Sequence, residues 1–311
     1  MFSLQHVQAI AQERTKASNP AAYFLVRLFG EKDWRDHSFL IYAYFRWVDD
    51  IIDCPRTSYE EKKRSIERQG KLLRNLYDGL AYRGNYILEE QFAHYFIAFD
   101  REMGFALKDD ILGMFSVLMR DLERNGAPTP AKEMDEFIYV ESKAFINMIR
   151  FFCGETGGYD GADKYDEGVG CKLVHLLRDF IEDLDQGYVN ISQDDMERYR
   201  INLDNINDDN FQAWVRDQVE LAREHFRKGK HNLSNSKRLR YKIASYLYCA
   251  KYEDILAITE KDNYRLRSEY KRTLVQKVRF LHRLISALLC AVEAHYLRKL
   301  ANVRSQGRAS V

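Results

Sequence analysis

Apolar positions recur along this chain at helical spacing from end to end. Residues 39–53 set Phe39, Tyr42, Ala43, Phe45 and Trp47 around a segment that is apolar nearly all round, which predicts a buried helix. Pro55 stops it just past Asp53, because proline lacks an N–H and restricts the residue before it. Residues 56–80, rich in Lys, Arg and Glu, predict an amphipathic helix, and 85–124 predict two more. NGAPTP at 125–130 breaks the pattern, and 133–153 resumes it. GETGGYDGADKYDEG (154–168) reads as a loop, with Gly and Asp supplying turn geometry. Helix returns over 169–186. Residues 190–212 are polar and Asn/Asp-rich, with a turn near NLDNINDD, and further helices fit 211–227, 239–261 and 265–300. The apolar run 278–300 is interrupted by Arg283, Glu293 and His295, so it predicts an amphipathic core helix rather than a membrane span.

No alternating strand pattern, internal repeat or linker interrupts the series. None of the four prolines lies beyond Pro130. A proline costs about 3 kcal/mol inside a helix, so long helices are permitted there. The expected architecture is all-α: one large domain of about ten or more helices over 1–303, with a disordered tail at 304–311.

Composition narrows the function. The chain of 311 residues is 46% hydrophobic and 31% charged, which is ordinary for a soluble protein. Its formal net charge of +1 gives no electrostatic case for nucleic acid. The five cysteines form no metal-binding spacing. An odd cysteine count, with an N-terminus too polar for a signal peptide, predicts a cytoplasmic protein. The dinucleotide, P-loop, hydrolase-elbow and HExxH fingerprints are all missing.

What remains is two aspartate pairs, each written i, i+4. Asp49 and Asp53 stand in FRWVDDIID, and Asp179 and Asp183 in LLRDFIEDLDQG. On a helix, such a pair aims two carboxylates in one direction. Two pairs meeting across a cavity would make a hard-oxygen site for Mg²⁺, which completes its shell with substrate phosphates. One acid pair alone would read as a solvated face. Here Asp49, Asp50 and Asp53 follow an apolar run, and the second pair is set among Leu173, Val174, Leu176, Leu177, Phe180 and Ile181. Buried carboxylates are costly unless paired or metal-bound. Arg46 and Arg178 sit beside the two pairs, as bridges to those acids or as a fork for phosphate oxygens.

In these residues the chain resembles the squalene/phytoene synthases, helical prenyltransferases that join two prenyl diphosphates head to head. IYAYFRWVDDIID (41–53) is similar to the family's lYaFcRxvDDivD, and LRDFIEDLDQGYVNIS (177–192) to its lRDvxEDlxxGRvYLP. SYLYCAKYEDILAITEKDNYRL (245–266) resembles a third family helix. The likeness covers roughly 17–275. It implies an isoprenoid synthase-like bundle around a central apolar cavity, and a metal set of Asp49, Asp50, Asp53, Asp179, Glu182 and Asp183. It also implies diphosphate-binding Arg46 and Arg178, with Tyr252 near the reacting carbons. Mg²⁺ is the implied ion, with Mn²⁺ as its substitute.

The departures bear on the second substrate. Lys172 and His175 stand where the family has Gln and Asn. Tyr188 and Asn190 replace the Arg and Tyr of GRvYLP, Asn19–Pro20 a His-Ser pair, and YVESKAF (139–145) a small-residue stretch. Lys172, His175 and Tyr188 therefore join Arg46, Tyr42, Phe45 and Phe145 as candidate substrate contacts, the aromatics through their π faces toward an allylic cation. Three readings stand: head-to-head condensation of farnesyl or geranylgeranyl diphosphate, a terpene cyclase or prenyltransferase with another acceptor, and a non-catalytic helper. NADPH use, oligomeric state and contact of an apolar product with a membrane are open at this level.

Overall fold

Side chains that satisfy orphan backbone donors start many of the helices. The side chain of Ser3 accepts from the His6 N–H ahead of α1 (Leu4–Ser18), and that of Asn19 from the Ala22 N–H ahead of α2 (Pro20–Phe29). Asn19–Pro20 is thus a helix cap with proline at the first helical position, where its missing N–H costs nothing. After α3 (Arg35–Asp53), Ser58 and Glu61 form a capping box for α4 (Tyr59–Tyr77). Then come α5 (Leu88–Glu102), α6 (Lys108–Arg124), α7 (Ala131–Phe152) and α8 (Asp166–Asp185). Ser192 caps α9 (Gln193–Tyr199) and Asp208 caps α10 (Asp209–Ser234). The last two helices are α11 (Leu239–Lys261) and α12 (Leu274–Ala309).

The computed structural model describes residues 1–54, 56–80, 86–155, 164–270 and 272–309, with 300–309 as backbone alone. Among these the chain is all-helical, as its periodicity predicts. The expected stop at Pro55 and residues 156–163 of the expected loop lie outside the described residues. Asp166, Glu167 and Gly168, read as the end of that loop, form the first turn of α8. The polar stretch 190–212 holds the short α9, whose helix comes from its cap rather than from apolar periodicity. The helical backbone of α12 reaches Ala309, into the stretch read as a tail.

The chain divides into two compact units. The first comprises Met1–Glu123 with Asn147–Gly154, and the second Arg124–Ile146 with Glu155–Val311. In the first unit, α3 packs on α1, α2, α4 and α5. It buries Phe39, Leu40, Ile41, Ala43, Tyr44, Val48 and Ile52. Tyr44 donates to Gln69 Oε1 at 3.2 Å, Gln69 donates on to the buried Glu90 at 3.1 Å, and Arg68 pairs with Glu90 at 2.7 Å. The Tyr44 hydroxyl and the Gln69 amide brought inside here are therefore partnered. The expectation that α3 is apolar all round is corrected: Arg46, Asp50 and Asp53 lie on an exposed edge and Asp49 is half-buried. Its core face fills one side only.

In the second unit, α8 and α10 approach closely. A Cβ at Gly229 would fall 2.4 Å from the Glu167 backbone nitrogen, so glycine permits the contact. Phe180 of α8 packs on Phe211 and Trp214 of α10, with ring centroids 5.2 and 5.8 Å apart. α11 packs on α8, α10 and α12. The core-helix reading of 278–300 is also corrected. Ala291 of α12 is buried, but Leu274, Val275, Val278, Leu281, Ile285 and Leu289 are each at least half exposed. The helix is long and apolar enough to cross a membrane by length and composition alone. It lies on α11 along one side, and those apolar positions project away from it.

Phe180→Ala is expected to cost about 3–5 kcal/mol, the usual penalty for removing a buried aromatic. Urea denaturation would measure it; a loss below about 1 kcal/mol would refute the anchoring role given to this contact.

Candidate active site

The first acid set sits at the C-terminal end of α3, and one arginine organises it. Arg46 Nη1 lies 3.1 Å from Asp49 Oδ2, and Nη2 lies 2.5 Å from Asp50 Oδ1. These are i, i+3 and i, i+4 partners one turn on. Desolvation works against the guanidinium charge, but the hydrogen bond to Asp50 and the charges of Asp49, Asp50 and Asp53 outweigh it and raise its pKa. The Asp53 carboxyl is pushed up, first by desolvation beneath its neighbours and then by Asp121 and Asp50, against the pull of Arg46. Asp121 stands on α6. Tyr42 and Phe45 are on the same helix. The Ser18 hydroxyl donates to the Tyr42 oxygen at 3.4 Å, and Phe45 packs edge-on to Tyr44 at 5.6 Å.

The second set lies within the other unit, on the face of α8 opposite its buried Leu173, Val174, Leu177 and Phe180. Lys172, His175, Asp179 and Asp183 follow one another at three- and four-residue steps along that face. Arg178 grips Asp179 in a fork, Nε to Oδ1 at 2.5 Å and Nη2 to Oδ2 at 2.6 Å. His175 Nε2 adds a contact to Oδ2 at 2.9 Å. Desolvation opposes ionisation of Asp179, yet these two donors prevail and hold its carboxyl well below the usual range. Desolvation lowers the His175 pKa, helped by Lys172 and Arg178, so the ring is neutral at pH 7 and donates its Nε2–H.

An aromatic row continues from His175. Its ring lies 6.4 Å from Tyr252, Tyr252 lies 5.0 Å from Tyr248, and Tyr248 lies 5.0 Å from Phe145 on α7. The two phenol oxygens are 3.1 Å apart, and burial raises both phenols above their ordinary value, so both stay protonated. Lys251 lies over the Tyr252 ring at 5.3 Å, its pKa lowered by burial and then by the charge of Arg178. Lys172 Nζ meets both carboxylate oxygens of Glu141 on α7, at 2.7 and 2.9 Å. Asp183 accepts from Asn190 Nδ2 at 2.7 Å. Glu182 is exposed near the end of α8. Tyr188 lies beneath the Arg124 guanidinium, 5.6 Å from the charge to the ring centroid.

The structure therefore gathers Lys172, His175, Arg178, Asp179, Tyr252 and, through Tyr248, Phe145. It gathers Arg46, Asp49, Asp50 and Asp53 separately. Tyr248, Lys251 and Arg124 are not among the residues singled out in the sequence, and Asn190 stands there only as a departure from the family pattern. Tyr248 had a signal, since it stands four residues before Tyr252. Arg124 had none, being distant in sequence from Tyr188, Val189 and Asn190.

Both sets offer hard carboxylate oxygens. Among the described residues, no three His, Cys, Asp or Glu side chains form a ready cage. Such a donor set fits Mg²⁺, which takes one or two carboxylates and keeps other positions for water and phosphate. A carboxylate has about four lone-pair sites; the Arg178 and His175 contacts leave room on Asp179 for a metal.

Residues 18–279 match the family model described as squalene/phytoene synthase. The chain belongs to that family. It is 23% identical over 225 residues to the presqualene diphosphate synthase of Zymomonas mobilis subsp. mobilis, covering 71% of this chain and 74% of that one. Its fold is similar to that of the squalene synthase HpnC from Alicyclobacillus acidocaldarius, with TM-score 0.68 and 19% identity over 85% of this chain and 97% of that one. It is also similar to a dehydrosqualene synthase in complex with ligand, with TM-score 0.71 and 17% identity over 91% and 97% of the two chains. Membership gives a prenyltransferase-type enzyme of isoprenoid biosynthesis on an all-α isoprenoid synthase fold, and supports head-to-head condensation of prenyl diphosphates.

Asp179 binds its proton more weakly in the folded chain than in the unfolded chain. Its contribution to stability is present above the ordinary carboxylate value of about 3.9 and is lost as pH falls toward the depressed folded value. The destabilisation caused by Asp179→Asn should therefore be largest near neutrality and shrink on acidification below that value. Urea midpoints of both proteins against pH test this; a constant difference would refute it.

Proposed function

We propose that this enzyme ionises farnesyl or geranylgeranyl diphosphate with Mg²⁺, and that the default product is a squalene- or phytoene-type hydrocarbon or its diphosphate precursor. The observation that carries this reading is the Arg178–Asp179 fork beside the row His175, Tyr252, Tyr248 and Phe145. A diphosphate needs guanidinium and metal at one end, and a prenyl cation needs π faces at the other. Asp49, Asp50 and Asp53, and Asp179, Glu182 and Asp183, would hold Mg²⁺ or Mn²⁺. The bound ion would neutralise charge on the leaving diphosphate. Arg178 holds Asp179 ionised, Arg46 pairs with Asp49 and Asp50, and both present guanidinium donors to phosphate oxygens. Lys251, crowded by Arg178, gains from an anion beside both. The protonated phenols of Tyr248 and Tyr252 offer neutral π faces toward the cation.

A second outcome of the same ionisation rests on the Lys172–Glu141 pair, a charged bridge between α7 and α8. Charge at that point is unfavourable for a second apolar chain and favours cyclisation or transfer to another acceptor. Incubating the protein with Mg²⁺ and either diphosphate, with and without NADPH, decides between them. A C30 or C40 product supports condensation, a cyclic product no longer than the substrate supports the second outcome, and no diphosphate release refutes both. Asp49→Asn and Asp179→Asn should each lower diphosphate release by at least about a hundredfold with helical circular dichroism unchanged. Full activity in either would overturn the metal assignment.

The exposed apolar face of α12 is proposed to rest on a membrane surface from the cytoplasmic side. The exposed Lys277, Arg279 and Lys299, against Glu293, suit anionic headgroups. Co-sedimentation with phosphatidylglycerol vesicles should be lost in Leu281→Glu/Ile285→Glu. Equal binding of the variant, or none by the wild type, would rule the contact out.

A further inference from the structure

Asp183 stands in the last turn of α8, where a helix end leaves a side chain least constrained. Here it is held from outside the helix. The chain reverses at Gly187, whose φ of +87° suits glycine, and the Tyr188 N–H returns to the Asp183 carbonyl at 2.8 Å. Asn190 then lies alongside, and its Nδ2 donates to Asp183 Oδ2 at 2.7 Å. The other end of that amide, Oδ1, accepts from Arg124 Nη2, also at 2.7 Å.

Arg124 is fixed in turn. Its Nη1 donates to the carbonyls of Ala127 and Val189, each at 3.1 Å, and its guanidinium covers the Tyr188 ring. The two backbone segments are locked together. Val189 N–H donates to the Gly126 carbonyl at 2.8 Å, and a Cβ at Gly126 would fall 2.1 Å from the Gly187 carbonyl oxygen. Tyr188 and Asn190, which stand in place of the family's Arg and Tyr, are both occupied by this contact.

The chemistry gives the arrangement a direction. An asparagine amide can present either its oxygen or its NH₂ to a neighbour, whereas a guanidinium only donates. Arg124 therefore compels Oδ1 toward itself and Nδ2 toward Asp183. The reverse orientation would set an amide oxygen against a carboxylate oxygen and NH₂ against a cation.

We infer that Arg124 and Asn190 are positioning residues for Asp183: Arg124 fixes the Asn190 amide, and Asn190 fixes the carboxylate in the orientation that takes a divalent ion. The inference rests on the reading of Asp183 as a Mg²⁺ ligand. Partners of this kind orient metal-binding carboxylates, and their loss costs about 10–100-fold in metal affinity.

The test uses the full chain with inorganic diphosphate at fixed concentration. Mg²⁺ is titrated and followed both by calorimetry and by the rise in melting temperature. Asn190→Ala and Arg124→Ala should each raise the half-saturating Mg²⁺ concentration about 10–100-fold; the metal-free melting temperature should change little in Asn190→Ala and fall in Arg124→Ala, which also loses the bonds to the Ala127 and Val189 carbonyls. Because Arg124 acts through Asn190, the double variant should cost no more than Asn190→Ala alone. A role confined to stabilising the turn would lower the metal-free melting temperature, leave the Mg²⁺ midpoint in place, and overturn the inference. Additive effects would overturn the relay. Asp183→Asn separates the two levels. If it abolishes the Mg²⁺ response while Asn190→Ala does not change it, the positioning role fails and the metal reading stands. If Asp183→Asn itself leaves the response intact, both fall. Should Arg124→Ala fail to fold, Asn190→Ala decides alone.

Discussion

The rotation of α8 about its own axis is the constraint on which the second-unit site depends. Leu173, Val174, Leu177 and Phe180 are buried, and a helix that buries one face has no freedom in where the opposite face points. Phe180 against Phe211 and Trp214, with the close approach at Gly229, sets that rotation. Lys172, His175, Asp179 and Asp183 then emerge in a line. Lys172 meets Glu141 from α7, Asp179 meets Arg178 and His175 of α8 itself, and Asp183 meets Asn190 from the reversal after α8.

Charge balance explains why these partners are of the types they are. A half-buried carboxylate without a donor would protonate or destabilise the fold. Arg178 and His175 keep Asp179 ionised, Arg46 pairs with Asp49 and Asp50, and Asn190 supports Asp183 without adding charge. The cations are treated differently. Lys172 is neutralised by Glu141, while Lys251 lies over an aromatic ring beside Arg178. The result is a face with two cations, Arg178 and Lys251, close to Asp179 and an uncharged aromatic row beside them.

The two departures at 188 and 190, read as losses in the linear pattern, are contacts in the folded chain. Asn190 holds an acid and Tyr188 receives a guanidinium. Asn19–Pro20 is likewise a well-formed helix start. The α12 helix shows the converse: its periodicity was legible, but amphipathic spacing states only that one face is apolar and not what covers it.

The all-α architecture, the paired aspartates, their arginines and the family were all legible in the sequence, because helical periodicity and i, i+4 spacing are local properties set by the backbone geometry itself. Exposure was not. Asp49, Asp50 and Asp53 follow an apolar run, yet they lie at a half-open edge, since an apolar segment becomes buried only on the faces its neighbours cover. Nor could the sequence reveal Glu141 beside Lys172, Tyr248 between Phe145 and Tyr252, or Arg124 beside Asn190. Those contacts join positions far apart in the chain, and only the packing of helices brings such residues within hydrogen-bonding or ring-stacking distance.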